Sequence, residues 1–151
     1  MQTLHAAERL RTSWGGAFDE PVVGGAVLVT DGRITSVGQL AVLAEEFPGA
    51  RVRRWPGVLG PGRLHEGPLP DAPSPRERVH AVLKSGATAV LAGFLDSPGL
   101  RSAADRNDLV VLSAATPPAL GEGGRADLAV FDETGACVAT VCAGRLVFRR
   151  R

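Results

Sequence analysis

The apolar positions along this chain change their spacing twice, and each change marks a different kind of structure. In the first third they come as short runs. Leu4 to Arg11 reads as an extended lead-in, and Ala26-Val27-Leu28-Val29 reads as a buried strand. Asp31-Gly32 follows at once, then Arg33-Ile34-Thr35-Ser36-Val37. Two strand-like runs joined by Asp-Gly predict a hairpin, because a type I′ turn needs positive φ at both central residues. Gln39 to Glu46 carries Leu40, Leu43 and Ala44 on one side, a short amphipathic helix that Pro48-Gly49 stops. Arg51 to Trp55 alternates as a half-exposed strand.

The middle has helical spacing. Pro56 to Pro75 is rich in proline and glycine and reads as a linker. Ser74 is placed to cap a helix, with Pro75 at its first position, Glu77 completing the capping box and Gly86 ending it. Val79, Val82 and Leu83 form its apolar face. Ala87 to Ala92 is a continuous apolar strand, Ser97-Pro98 opens a second helix, and Leu109 to Leu112 is another apolar strand. Strand, helix and strand in that order predict a parallel βαβ unit. In the last third, strands at Asp127–Phe131, Cys137–Val141 and Leu146–Phe148 form a meander ending in Arg149-Arg150-Arg151, a solvated tail.

Neither β-rich end has enough strands to bury a face alone. The expected fold class is therefore α+β: a β-sandwich built from residues 1–60 and 119–151, with residues 61–118 as a linker plus a small βαβ insert. The whole is one compact unit, as 151 residues allow.

Composition removes several function classes. A net charge of +1 supplies no field to steer the molecule to nucleic acid or anionic lipid. No apolar run reaches the ~18 residues of a membrane span. Met1 to His5 lacks the basic and apolar regions of a secretory signal. Lys84 is the only lysine, a bias that a GC-rich genome explains. Cys137 and Cys142 have no metal-type spacing and would sit on opposite faces of one straight strand. Packing cysteines in a cytoplasmic protein are the expectation.

The two ends carry a further signal. Gly24-Gly25-Ala26-Val27-Leu28-Val29, Asp31-Gly32-Arg33-Ile34 and Val37-Gly38 stand near the start. Gly121 to Gly124, Arg125-Ala126-Asp127-Leu128-Ala129-Val130, Asp132, Gly135 and Val138 to Arg149 stand near the finish. In this order they resemble the composite domain of the amidohydrolase superfamily, most of all the branch of imidazolonepropionase and the aminodeoxyfutalosine and cytosine deaminases. The resemblance implies the same β-sandwich. It also implies a catalytic (β/α)8 barrel of ~200 residues between the two ends, where this chain has about fifty. Lys84-Ser85-Gly86-Ala87-Thr88 is similar to a barrel segment of the family, so the βαβ unit reads as a vestige of that barrel.

The family enters its barrel through a segment of the type LPGLVDAHTHL, whose two histidines bind the catalytic metal. Aligned on Pro61-Gly62, those positions hold Gly67 and Leu69, and neither can be a ligand. His65 falls two positions before the first of them. Metal hydrolysis needs several convergent ligands and one open position. The remaining candidates are His65 and His80 for a metal, and His65, Glu66 and Asp96 for catalysis. Each has a plainer reading. Neighbouring His65 and Glu66 point apart in extended chain. His80 sits beside Val79 on the first helix, as a surface or boundary histidine would. Asp96 follows a strand end, where α/β proteins place functional groups, yet also initiates a turn.

The sequence therefore predicts a non-catalytic amidohydrolase-like protein that acts as a binding or assembly module and needs no cofactor. A homodimer contact or another protein would cover the apolar surface that the missing barrel leaves. Two alternatives stand beside it. One is a minimal metal-dependent amidohydrolase or deaminase with a rebuilt zinc or iron site. The other is a binding protein for a nucleoside-like or imidazole-like small molecule.

Overall fold

The computed structural model describes residues 1–16 and 20–151. Its strands and helices run β1 (Gln2–Leu10), β2 (Val22–Val23), β3 (Gly25–Thr30), β4 (Arg33–Gln39), α1 (Leu40–Glu46), β5 (Arg51–Pro61), β6 (Arg63–His65), α2 (Pro75–Lys84), β7 (Ala87–Leu91), α3 (Pro98–Arg106), β8 (Val110–Leu112), β9 (Leu128–Phe131), β10 (Cys137–Cys142) and β11 (Arg145–Arg149). The expected α+β architecture stands: a large mixed sheet and a small α/β layer.

The two ends of the chain form one hydrogen-bonded sheet, ordered β11-β10-β9-β5-β1-β3-β4, with β2 paired to the end of β1. The join is antiparallel pairing of Val58–Pro61 in β5 with Leu128–Phe131 in β9. This sheet bends over its own core. The segment before β9 reaches the β3–β4 hairpin, where Ile34 N–H donates to Gly124 O at 2.8 Å and Ala126 N–H to Gly32 O at 2.9 Å. Leu10, Val27, Val29, Leu59, Leu128 and Val130 fill the space enclosed. Asp31 and Gly32 have φ of 49° and 78°, the two positive values that a type I′ hairpin requires.

The strand β3 is buried on both sides because its alternate residues enter different cores. Val27 and Val29 face the sandwich interior. Ala26 and Leu28 face outward with Leu4 and Ala6 of β1, beneath Leu43 of α1.

The α/β layer contains two successive βαβ units rather than one. The parallel strands β6, β7 and β8 lie side by side in that order. The first half of the stretch expected to be a linker is thus mostly strand: Pro56–Pro61 completes β5, and Arg63–His65 is β6. Pro56 is tolerated because it falls at the register shift in the β1 pairing, and Pro61 because it ends the strand. The helix caps agree with the sequence. Ser74 Oγ accepts from Glu77 N–H and Ser97 Oγ from Leu100 N–H, each at 3.2 Å. Such caps contribute ~1 kcal/mol apiece.

This layer packs on the outer face of β9 and β10. Thr140 Oγ1, fully buried, donates to Leu83 O at 2.7 Å. Cys142 enters the core of Val79, Val82, Leu83, Val90 and Leu100. Gly86 has φ of 91°, and a Cβ there would lie 2.4 Å from Phe131 Cζ, so the turn after α2 can touch the sheet only with glycine. A register shift in β10 between Cys137 and Ala139 corrects the straight-strand expectation for the cysteines. It brings Cys137 Sγ within 3.4 Å of Thr140 Oγ1, on the outer face that Cys142 also uses. Both cysteines are free thiols.

Candidate functional site

The place to look for chemistry is the C-terminal end of β6, since its register with β7 makes it the first strand of the α/β layer. The chain does not converge there. His65 Nε2 lies 2.8 Å from Pro68 O, so its proton is donated within its own turn. Glu66 beside it is exposed. Gly67 has φ of 112°, a conformation that L side chains rarely adopt. The loop then folds over α2. Arg78 donates from Nε to Pro70 O at 3.1 Å and from Nη2 to Leu69 O at 3.0 Å. This clamp drives the Leu69 side chain into the helix core, where it is 3% exposed.

The other candidates stand on other elements. His80 is exposed on α2, beside buried Val79. Asp96 is exposed in the turn before α3, and it is Ser97 that caps the helix. Among the described residues no three His, Cys, Asp or Glu side chains gather to hold a metal ion. The donor set does not fit the metal that the resemblance implies. The thiols do not supply a nucleophile either. Burial, then the nearby Asp127 carboxylate, pushes Cys142 up to about 11, and burial raises Cys137 too.

Two features escaped the sequence reading. The first is a groove of about 330 Å³ between the end of β6 and the stretch after β8, lined by Trp14, Arg63, Leu64, Glu66, Pro117 and Pro118. Arg63 lies over the ring of Phe131 at 3.9 Å and over that of Trp14 at 4.8 Å. Trp14 is itself fixed by a 2.6 Å bond from Nε1 to Pro61 O and an edge-to-face contact with Phe131. The only signal was a tryptophan in a Ser/Gly loop of an aromatic-poor chain, and its neighbours come from 47 or more residues away.

The second is a latch between sandwich and α/β layer. Arg125 Nε holds both oxygens of Asp127 at 2.9 Å. Its Nη2 reaches Asp108 O and, at 3.2 Å, Cys142 Sγ. Arg145 closes the contact with a 2.6 Å ion pair to Asp108.

Comparison with known proteins agrees with this geometry. The family described as imidazolonepropionase-like composite domain, bacteria, matches residues 25–50, the β3–β4 hairpin and α1. That match spans 26 of the 151 residues and falls on the first of the two segments that resemble a composite domain. Escherichia coli guanine deaminase superposes with a TM-score of 0.56 at 14% identity, over 74% of this chain and 35% of that one. The guanine deaminase of Bradyrhizobium japonicum gives 0.55 at 14%, over 73% and 34%. Aspergillus niger ochratoxinase gives 0.51 at 21%, over 73% and 30%. The chain thus spans about a third of the length of these enzymes, and at such identities the likeness is one of fold. No curated protein sequence matches. Beside the large sheet the chain has three parallel strands, where a (β/α)8 barrel has eight. Among the described residues no helix is long and apolar enough to cross a membrane.

Proposed function

We propose that this chain is a non-catalytic, amidohydrolase-like binding or assembly module of the cytoplasm. The observation that carries the reading is Leu69. The position that would hold a metal-binding histidine is instead a core residue packed against α2, its carbonyl held by Arg78. His65, His80, Glu66 and Asp96 stay dispersed and exposed or half-exposed, so no bound water could be activated by several of them together. Elemental mass spectrometry of untagged protein, after equilibration with zinc and gel filtration, tests this. Well under one zinc per chain is expected. One zinc per chain, lost in the double variant His65→Ala, His80→Ala, would overturn the reading and favour a rebuilt hydrolase.

The groove favours a second reading, binding of a small nucleoside-like or imidazole-like molecule. It offers an indole, a guanidinium held by two rings and the Glu66 carboxylate around apolar walls, the usual make-up of a ligand site. Titration with adenosine or imidazole should then quench the emission of Trp14, since Trp55 is only 7% exposed. The same response in Trp14→Phe would dismiss it.

A further inference from the structure

The free edge of the parallel sheet carries no charged side chain, unlike the longer edges of either sheet. β8 pairs with β7 and, among the described residues, with no other strand. Natural edge strands are guarded by charge. Of the other edge strands of three or more residues, β11 carries Arg145 and Arg149, β6 carries Arg63 and His65, and β4 opens on Arg33, while the two-residue β2 is Val22-Val23. β8 is Val110-Val111-Leu112, with no charge at all.

The surface beside this edge is self-complementary. Val111 is 46% exposed on the helix side of the sheet. With Ala92, Leu95 and Leu109 it lines an apolar groove of about 260 Å³. Arg101 and Asp105 of α3 stand at its rim, both exposed and one helical turn apart. A two-fold axis normal to the sheet would run β8 antiparallel to β8 of a second copy. It would also lay the two α3 helices antiparallel on the same face. Arg101 of each copy then meets Asp105 of the other, and Val111 meets Val111 at the axis. In an isologous contact each such pair occurs twice.

We propose that a second copy of this chain docks on the β8 edge, making a continuous six-stranded sheet ordered β6-β7-β8-β8-β7-β6. The dimer does not depend on the non-catalytic reading: zinc content tests that reading, and sedimentation tests this one. Sedimentation velocity of the full chain from about 1 to 200 μM should show a monomer–dimer equilibrium. Val111→Lys places two ammonium groups at the axis and should weaken the dimer by about 10-fold or more. Asp105→Arg, which opposes arginine to Arg101, should act in the same direction. The double variant Arg101→Asp, Asp105→Arg should restore association, because the exchanged pair is again complementary. Circular dichroism matched to the parent controls for folding at these surface positions. A monomer throughout the range would overturn the proposal, as would a dimer indifferent to Val111→Lys and Asp105→Arg.

Discussion

Replacing Leu69 by histidine, the residue the catalytic family uses at this position, is expected to destabilise the protein by about 3 kcal/mol and to create no metal site. Leu69 is 3% exposed and shares a core with Val79, Val82 and Leu83 of α2. Two effects add. The leucine gives up ~1.5–3 kcal/mol of burial, and the imidazole enters a core where its ring nitrogens find no partner unless the loop moves. The loop resists moving, because Arg78 holds the carbonyls of Leu69 and Pro70 to the helix. Gly67 adds to the obstacle, since its φ of 112° disfavours the other histidine of the pair. A urea titration checks the prediction. A Leu69→His variant as stable as the parent, or one that added zinc stabilises, would show that the loop can leave α2 and return to the strand end.

Acidification from pH 7 to pH 4 is expected to remove about 3 kcal/mol of stability through His5 alone. His5 lies on β1, 4% exposed, and its Nδ1 accepts from Trp55 Nε1–H at 3.2 Å. Burial first, and then the Arg53 guanidinium, lowers its pKa from 6.5 to about 4. The folded protein therefore keeps the ring neutral where the unfolded chain protonates it. Above pH 6.5 neither state binds the proton and nothing is lost. As pH falls from 6.5 towards 4 the unfolded state gains, and stability drops by 1.36 kcal/mol per unit. Below about 4 the folded ring is protonated too, and this loss levels off. Asp132 titrates in a separate window. Bonds from Thr134 Oγ1–H, Arg150 and the backbone hold its carboxyl well below the usual carboxylate range. Its contribution is therefore complete above about 4 and lost only at lower pH. Urea midpoints at pH 7 and pH 5 should differ by about 2 kcal/mol in the parent and by clearly less in His5→Asn, which can still accept from Trp55. An equal slope in both proteins would place the titration elsewhere.

These two predictions rest on different kinds of information. The absence of a metal-binding pair was legible once Pro61-Gly62 was aligned with the family's barrel entrance, because ligand chemistry depends on residue type alone. The consequence for Leu69 was not, since nothing local marks that leucine as a core residue among prolines and glycines. His5 falls within the stretch from Leu4 to Arg11 that reads as an extended lead-in. It is buried because β1 lies between β3 and β5, a placement set by pairing with residues more than twenty positions away.

The elements with strong local punctuation were determined by the sequence. Ser74, Pro75 and Gly86 bound α2, Ser97 and Pro98 open α3, and Asp31-Gly32 makes the hairpin. In each case the signal is a backbone hydrogen bond or dihedral satisfied within a few residues. The continuous apolar runs of β7 and β8 likewise announced a parallel pair. Tertiary structure alone decided that β5 continues through Pro56 to Pro61, that it joins the two ends of the chain against β9, and that Arg63–His65 becomes a third parallel strand. It also decided the groove at Trp14, the latch at Arg125 and the bare edge of β8. Those features arise from pairing and burial between residues distant in the chain, where packing free energy outweighs the propensities that a local reading can see.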